Sequence, residues 1–143
     1  MGINSENVVQ AESFRPFHNV LQGIKILLAE DSADNRAVVR AFLRNTQANL
    51  VLAENGLEAL KKASEEDFDI VLMDIQMPKM DGLNATIKLR EAGFTKPILA
   101  LTAHALPEEV KRSFAAGCNG HLTKPIARDT LITAITNYVA KPS

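Results

Sequence analysis

The fold of this chain follows from the stretch Asp69-Ile70-Val71-Leu72-Met73-Asp74-Ile75-Gln76-Met77-Pro78. The four large apolar residues from Ile70 to Met73 are too few for a helix and predict a strand buried on both faces. Such strands form parallel sheets covered by helices, and these sheets bind ligands at the carboxyl ends of their strands. Asp74 ends this strand and is therefore a candidate reactive group, although a single acid at a strand end more often has no special role.

Four further apolar runs predict strands, and helical patterns separate them. The predicted strands cover residues 24–29, 50–53, 70–73, 97–101 and 120–123. Helices are expected from Ser32 or Asp34 to about Asn45, and over residues 56–65, 83–91, 107–116 and 131–139. Val38 and Phe42 recur at helical spacing in the first helix, and Val110 and Phe114 mark the buried face of the fourth.

Strict alternation of strands and helices predicts an α/β fold with right-handed crossovers. The simplest arrangement for one domain of this size is a doubly wound five-stranded parallel sheet of order 2-1-3-4-5 with five helices, a flavodoxin-like three-layer sandwich. We expect residues 1–22 to be a linker or N-terminal tail, residues 23–140 to be the domain and residues 141–143 to be a C-terminal tail. We expect a helical turn near residues 17–21. The apolar side chains of this segment are expected to dock, namely those of Phe14, Phe17, Val20 and Leu21.

The composition limits the class of protein. The chain has 143 residues, of which 46% are hydrophobic and 23% charged, with a formal net charge of −1. This balance gives no electrostatic signal for nucleic acid or an anionic membrane, and no window approaches the ~18 apolar residues of a membrane span. One cysteine, Cys118, excludes an internal disulfide and a cysteine-based metal site. We expect a cytoplasmic monomer without contacts to nucleic acid or membrane.

Polar residues follow the predicted strands at one edge of the sheet. In the order 2-1-3-4-5, Glu30, Asp31 and Asp74 converge, and three close carboxylates repel each other by a few kcal/mol per pair at an effective dielectric of ~20. A hard cation such as Mg²⁺ relieves this repulsion and prefers oxygen ligands. Thr102 and Lys124 end the next two strands with a hydroxyl and an ammonium. Together these groups predict a site for phosphoryl transfer.

The same residues resemble the receiver domain of two-component response regulators, in order and in spacing, over residues 24–139. The matching segments are Glu30-Asp31, Met73-Asp74-Ile75-Gln76-Met77-Pro78, Met80-Asp81-Gly82, Thr102-Ala103 and Lys124-Pro125. The resemblance implies a Mg²⁺-dependent phosphoacceptor, with Mn²⁺ as an alternative metal. It implies that Asp74 takes a phosphoryl group from a histidine of a kinase or a histidine-phosphotransfer domain, and that the domain then switches conformation.

The resemblance also implies roles for individual residues. Asp31, Asp74 and the backbone carbonyl of Gln76 would be metal ligands, and Glu30 would act through water. Phosphoryl-binding or switch roles fall to Thr102, Ala103, Lys124 and His121, where His121 stands at a position that is usually Tyr or Phe. Gln76 and His104 would tune the lifetime of the phosphoryl group, and the Lys124-Pro125 bond would be cis.

The motifs resemble receivers attached to hybrid histidine kinases more than those of transcription factors, and the resemblance implies that the parent protein is either such a kinase or a free-standing regulator. The domain's own phosphorylation and dephosphorylation would be its only catalysis. Two alternatives stay open. A binding-only receiver would be regulated by partner contacts, which the filled site positions disfavour. A Mg²⁺-dependent aspartyl phosphohydrolase would usually carry a second Asp where this chain has Gln76.

Overall fold

The computed structural model describes residues 17–140, which form one parallel sheet with helices on both faces. The strands are β1 (Lys25–Ala29), β2 (Asn49–Ala53), β3 (Ile70–Asp74), β4 (Ile98–Thr102) and β5 (Gly120–Thr123). The helices are α1 (Ala33–Phe42), α2 (Gly56–Glu65), α3 (Gly82–Glu91), α4 (Pro107–Ala116) and α5 (Arg128–Val139). The strand order is β2-β1-β3-β4-β5, and every pairing is parallel. The predicted fold class is confirmed.

Side-chain alternation along the strands divides the core between the two faces of the sheet. Leu27, Val71 and Met73 pack on one face with buried residues of α2 and α3. Ile26, Leu28 and Leu72 point to the other face, where α1 and α5 supply Val39, Leu131, Ile132 and Ile135. Both faces of the central strands are therefore buried, which explains why β3 is a continuous apolar run instead of an alternating one.

Polar caps begin three of the helices. The Ser32 hydroxyl accepts a hydrogen bond from the Asn35 amide at 3.2 Å, and Asn55 and Asp81 cap α2 and α3 in the same way. The first helix was predicted to continue to about Asn45, but α1 ends at Phe42 and a separate 3₁₀ turn covers Arg44–Thr46.

The predicted buried face of α4 is wrong. Phe114 is 48% exposed and Val110 is only half-buried, whereas the small polar Ser113 is buried. The Ser113 hydroxyl donates a hydrogen bond to the Val110 carbonyl at 2.9 Å, so its burial leaves no polar group unpaired. In α1, likewise, Val38 is exposed and its neighbour Val39 is buried.

The segment before β1 packs onto the domain. Residues 17–23 form turns, in which the amides of Val20, Gln22 and Ile24 each donate to the carbonyl three residues earlier. Leu21 is fully buried, and its amide donates to the Thr46 carbonyl at 2.9 Å. The docking expected of Leu21 is thus observed, whereas Val20 is exposed. Phe14 and the tail at 141–143 lie outside the described residues. The boundary at residue 23 stays a prediction.

Candidate phosphoryl and metal site

The register of the sheet places three carboxylates together. Ala29 of β1 pairs with Met73 of β3, so the next residues, Glu30 and Asp74, lie side by side at the carboxyl ends of neighbouring strands. The side chains of Glu30, Asp31 and Asp74 each offer an oxygen within 4.8 Å of the other two. Glu30 and Asp74 are 1% and 4% exposed, while Asp31 is exposed. The structure therefore brings together the three acids that the sequence singled out.

Lys124 lies between the two buried acids. Its Nζ is 2.7 Å from Glu30 Oε1 and 3.0 Å from Asp74 Oδ2. It reaches them because Thr102 pairs with Thr123 in the β4–β5 register, and the Lys124 amide then donates to the Thr102 carbonyl at 2.7 Å. The peptide bond from Lys124 to Pro125 is cis. One ammonium thus neutralises part of the negative charge of two carboxylates.

Burial and mutual contact move the pKa values of this group apart. Burial raises the pKa of Asp74 to about 6, and the neighbouring Glu30 adds to this effect while Lys124 opposes it. Burial also acts to raise the pKa of Glu30, but hydrogen bonds from Lys124, Asp74 and the Ser32 amide outweigh it and lower that pKa. The pKa of Lys124 is raised, because the two carboxylates outweigh its own burial. Of the two buried acids, Asp74 is therefore the one whose protonation the site favours.

The loop after β3 approaches Asp74 closely. The Gln76 amide donates a hydrogen bond to Asp74 Oδ1 at 3.1 Å, and the Gly82 amide donates to the Ile75 carbonyl at 2.9 Å. A Cβ atom on Gly82 would overlap the Asp74 carbonyl, so only glycine permits this approach. The start of α3, where Asp81 is the cap and Gly82 the first helical residue, is therefore also part of the support for Asp74.

Thr102 is the last residue of β4, and it directly follows Leu101, which pairs with Asp74 of β3. Its hydroxyl donates to the His104 carbonyl at 2.7 Å and accepts from the His104 amide at 3.2 Å. In this conformation the hydroxyl is engaged by the loop that follows β4. To donate to another acceptor, the hydroxyl would have to give up its hydrogen bond to the His104 carbonyl.

A cavity of about 520 Å³ opens beside the acids. It is lined in part by Asp31, Gln76, Thr102, His104 and His121. The half-buried His121 ring packs edge-on against Phe114, with 6.3 Å between ring centroids. The cavity thus connects Asp31 of the acid cluster with the two histidines that the sequence singled out. Ala103 is exposed in the loop between Thr102 and His104.

Two residues of the site were not predicted. The Ser32 amide donates to Glu30 Oε2 at 3.1 Å, and Arg36 Nη1 donates to the Glu30 carbonyl at 2.7 Å. Ser32 was identified only as a helix cap. Arg36 lies four residues after that cap, so the helical period alone places it above the loop that carries the acids. That spacing could have indicated its position.

The sequence comparisons agree with this geometry. A sequence model of the response regulator receiver domain matches residues 26–136. The chain is 42% identical over 122 residues to hybrid signal transduction histidine kinase G of Dictyostelium discoideum, covering 82% of this chain and 4% of that protein. It is 41% identical over 125 residues to the osmosensing histidine protein kinase SLN1 of Saccharomyces cerevisiae, covering 82% of this chain and 10% of the relative. The chain therefore spans only a small part of these proteins.

Solved structures give the same result. The receiver domain of sensor histidine kinase PA1611 from Pseudomonas aeruginosa, solved with a magnesium ion in its active site cleft, has a TM-score of 0.77 and 36% identity, covering 83% of this chain and 99% of that one. A complex of the S. cerevisiae histidine phosphotransfer protein Ypd1 with the receiver domain of Ssk1 gives a TM-score of 0.78 at 29% identity, covering 82% and 90%. By sequence and by fold, this chain belongs to the response regulator receiver domains of phosphorelay systems.

Proposed function

We propose that Asp74 is the phosphoacceptor of this receiver domain. The observation that carries the proposal is the placement of a buried carboxylate between Lys124 and two further acids, at the end of the central strand. A carboxylate oxygen of Asp74 attacks the phosphorus of an N-phosphohistidine and forms a P–O bond. The P–N bond breaks and its electron pair returns to the departing imidazole. The product is an aspartyl phosphate.

The donor set suits a hard divalent cation, because three carboxylates lie within reach of one another at an edge open to solvent. We propose Asp31, Asp74 and the Gln76 carbonyl as ligands of Mg²⁺ or Mn²⁺, with Glu30 acting through water. When bound, the metal supplies positive charge to the phosphoryl oxygens. The chain's own residues hold Asp74 in place, since the Gln76 amide and the Lys124 ammonium each bond one of its oxygens.

Lys124, Thr102 and Ala103 are the proposed phosphoryl-binding residues. Lys124 already contacts Asp74 and carries a fixed positive charge toward the position where phosphate oxygens would lie. Thr102 would join by leaving the His104 backbone, which frees the loop that begins at Ala103. His121 lines the adjacent cavity and is the proposed switch residue. The positions of Gln76 and His104 in the same lining support their proposed effect on phosphoryl lifetime.

We infer that the phosphodonor is a histidine kinase or a histidine-phosphotransfer domain, in the cytoplasm. The similarity to histidine kinases and to the receiver in the Ypd1–Ssk1 complex supports this kind of partner. No helix within residues 17–140 has both the length and the apolar character needed to cross a membrane. We further propose that the parent protein is a hybrid histidine kinase.

The test is phosphorylation by acetyl phosphate and Mg²⁺, followed by intact mass. The wild-type protein should gain the mass of one phosphoryl group, and Asp74→Asn should gain none. Asp81→Asn is the matched control, because Asp81 lines the same cavity and asparagine also caps a helix. Labelling of Asp74→Asn at the wild-type rate would refute the assignment.

A further inference from the structure

We propose that Arg36 is a positioning residue for the metal site, because it fixes the peptide group that joins Glu30 to Asp31. Its guanidinium Nη1 donates to the Glu30 carbonyl at 2.7 Å. Arg36 can have this role only if the proposed function is correct, with a divalent cation bound at Glu30, Asp31 and Asp74. Among the described residues, Arg36 makes no hydrogen bond to any of the three carboxylates proposed for the metal site, so its effect passes through the backbone of the acid pair.

The Asp31 carboxylate depends on its backbone more than the other two acids do. Glu30 is held by Lys124 and by the Ser32 amide, and Asp74 is held by Lys124 and by the Gln76 amide. Within residues 17–140, no hydrogen bond holds the exposed carboxylate of Asp31. Its distance from the other two acids is therefore set by the peptide group before it.

That peptide group is held from the α1 side by Arg36. The preceding peptide group, which joins Ala29 to Glu30, is held by β2, because the Glu30 amide donates to the Ala53 carbonyl at 3.0 Å. The bond from Arg36 is short and charge-assisted, and the Arg36 side chain is only 15% exposed. Its second contact, 3.5 Å to the exposed carboxylate of Glu54, is long and weak by comparison. The carbonyl of Glu30 is therefore the main partner of Arg36.

Removing the Arg36 guanidinium would have opposite effects on metal binding, depending on whether Arg36 positions the acid pair or acts only through its charge. A guanidinium near a cation site repels the cation, so removing its charge alone would strengthen Mg²⁺ binding. Loss of a group that orients a ligand weakens metal binding, typically by about 10- to 100-fold. The direction of the change therefore separates the two explanations.

The experiment measures the Mg²⁺ dissociation constant of the full chain by calorimetric titration, for wild type, Arg36→Met and Arg40→Met. Arg40 lies one turn further along α1 and is exposed, and among the described residues its side chain makes no hydrogen bond or ion pair. We expect the dissociation constant to rise about tenfold in Arg36→Met and to change less than about twofold in Arg40→Met. An unchanged or lower dissociation constant in Arg36→Met would overturn the proposal.

Two further variants and a folding control separate a loss of metal binding from a loss of folding. Arg36→Lys retains the charge and a donor, and should bind Mg²⁺ more tightly than Arg36→Met; equal binding by the two would also overturn the role. Circular dichroism of the metal-free variants checks folding, and Arg36→Gln carries the same test if Arg36→Met does not fold. Wild-type protein that binds no Mg²⁺ would refute the metal site itself, whereas equal binding by wild type and Arg36→Met would refute only the role of Arg36.

Discussion

The hydroxyl of Thr102 makes both of its hydrogen bonds to the backbone of His104, as donor to the carbonyl at 2.7 Å and as acceptor from the amide at 3.2 Å. The group that is proposed to bind a phosphoryl oxygen is thus held by its own loop until a stronger acceptor is present. A charged phosphoryl oxygen is such an acceptor, because charge-assisted hydrogen bonds are about twice as strong as neutral ones. The loop is expected to change conformation on phosphorylation for this reason.

Thr102→Val should slow phosphorylation of Asp74 by roughly tenfold, since it removes a donor to the phosphoryl group. Thr102→Ser keeps the hydroxyl and should stay close to the wild-type rate. The rates are measured from intact mass against time in acetyl phosphate and saturating Mg²⁺. Equal rates for the Val and Ser variants would exclude a role of the hydroxyl.

The stability of the metal-free protein should fall as the pH rises from about 4 to about 6. The pKa of Asp74 is raised, chiefly by burial, to about 6 from 3.8, so the folded state binds this proton more tightly than the unfolded state. The resulting stabilisation is complete below the unfolded pKa and is lost as the pH passes the folded pKa; it is on the order of 3 kcal/mol. The lowered pKa of Glu30 has the opposite effect on stability: its ionised form stabilises the fold, and this stabilisation is lost as the pH falls.

Urea unfolding in EDTA at several pH values, with circular dichroism as the probe, measures this dependence. Asp74→Asn cannot titrate at this position and should lose the decline between pH 4 and 6. A decline of the same size in Asp74→Asn would assign it to another group.

Mg²⁺ should stabilise the fold, because it binds the native acid cluster and relieves its repulsion. Asp31→Asn removes one of the three charges, so it should raise the melting temperature of the metal-free protein and weaken Mg²⁺ binding at the same time. Thermal melts with and without millimolar Mg²⁺ show both effects. If Asp31→Asn changed only the melting temperature or only the Mg²⁺ binding, the charge of Asp31 would not explain both the repulsion and the metal binding.

Lys124→Met should destabilise the metal-free protein by about 2 kcal/mol or more, because it leaves two buried carboxylates without their cation. The loss should be smaller in an Asp74→Asn background, where one of those charges is absent. A double-mutant cycle from urea unfolding measures this coupling. Additive effects of Lys124→Met and Asp74→Asn would show that the two side chains do not interact.

The sequence predicted the parts of the site that follow from strand order. Asp74 ends β3 and Lys124 follows β5, and the carboxyl ends of parallel strands lie at one edge of the sheet, so their proximity could be inferred without coordinates. The hydrogen bonds of Thr102 to His104 could not, because they depend on the path of one loop. Phe114 was predicted to mark the buried face of its helix together with Val110, but it is 48% exposed. The smaller Ser113 is buried instead, and its hydroxyl donates to the Val110 carbonyl. The spacing of Arg36 from the Ser32 cap indicates the side of the helix on which it lies, but not that its guanidinium binds the main-chain carbonyl of Glu30, so its role was missed.

The most direct test of the central claim is to locate the modified side chain chemically. Borohydride reduces an aspartyl phosphate to homoserine, which peptide mass spectrometry can assign to one position after treatment with acetyl phosphate and Mg²⁺. The proposed mechanism predicts homoserine at Asp74 and no reduced product at Glu30, Asp31 or Asp81. A reduced residue at any of those three positions, with Asp74 unmodified, would contradict it.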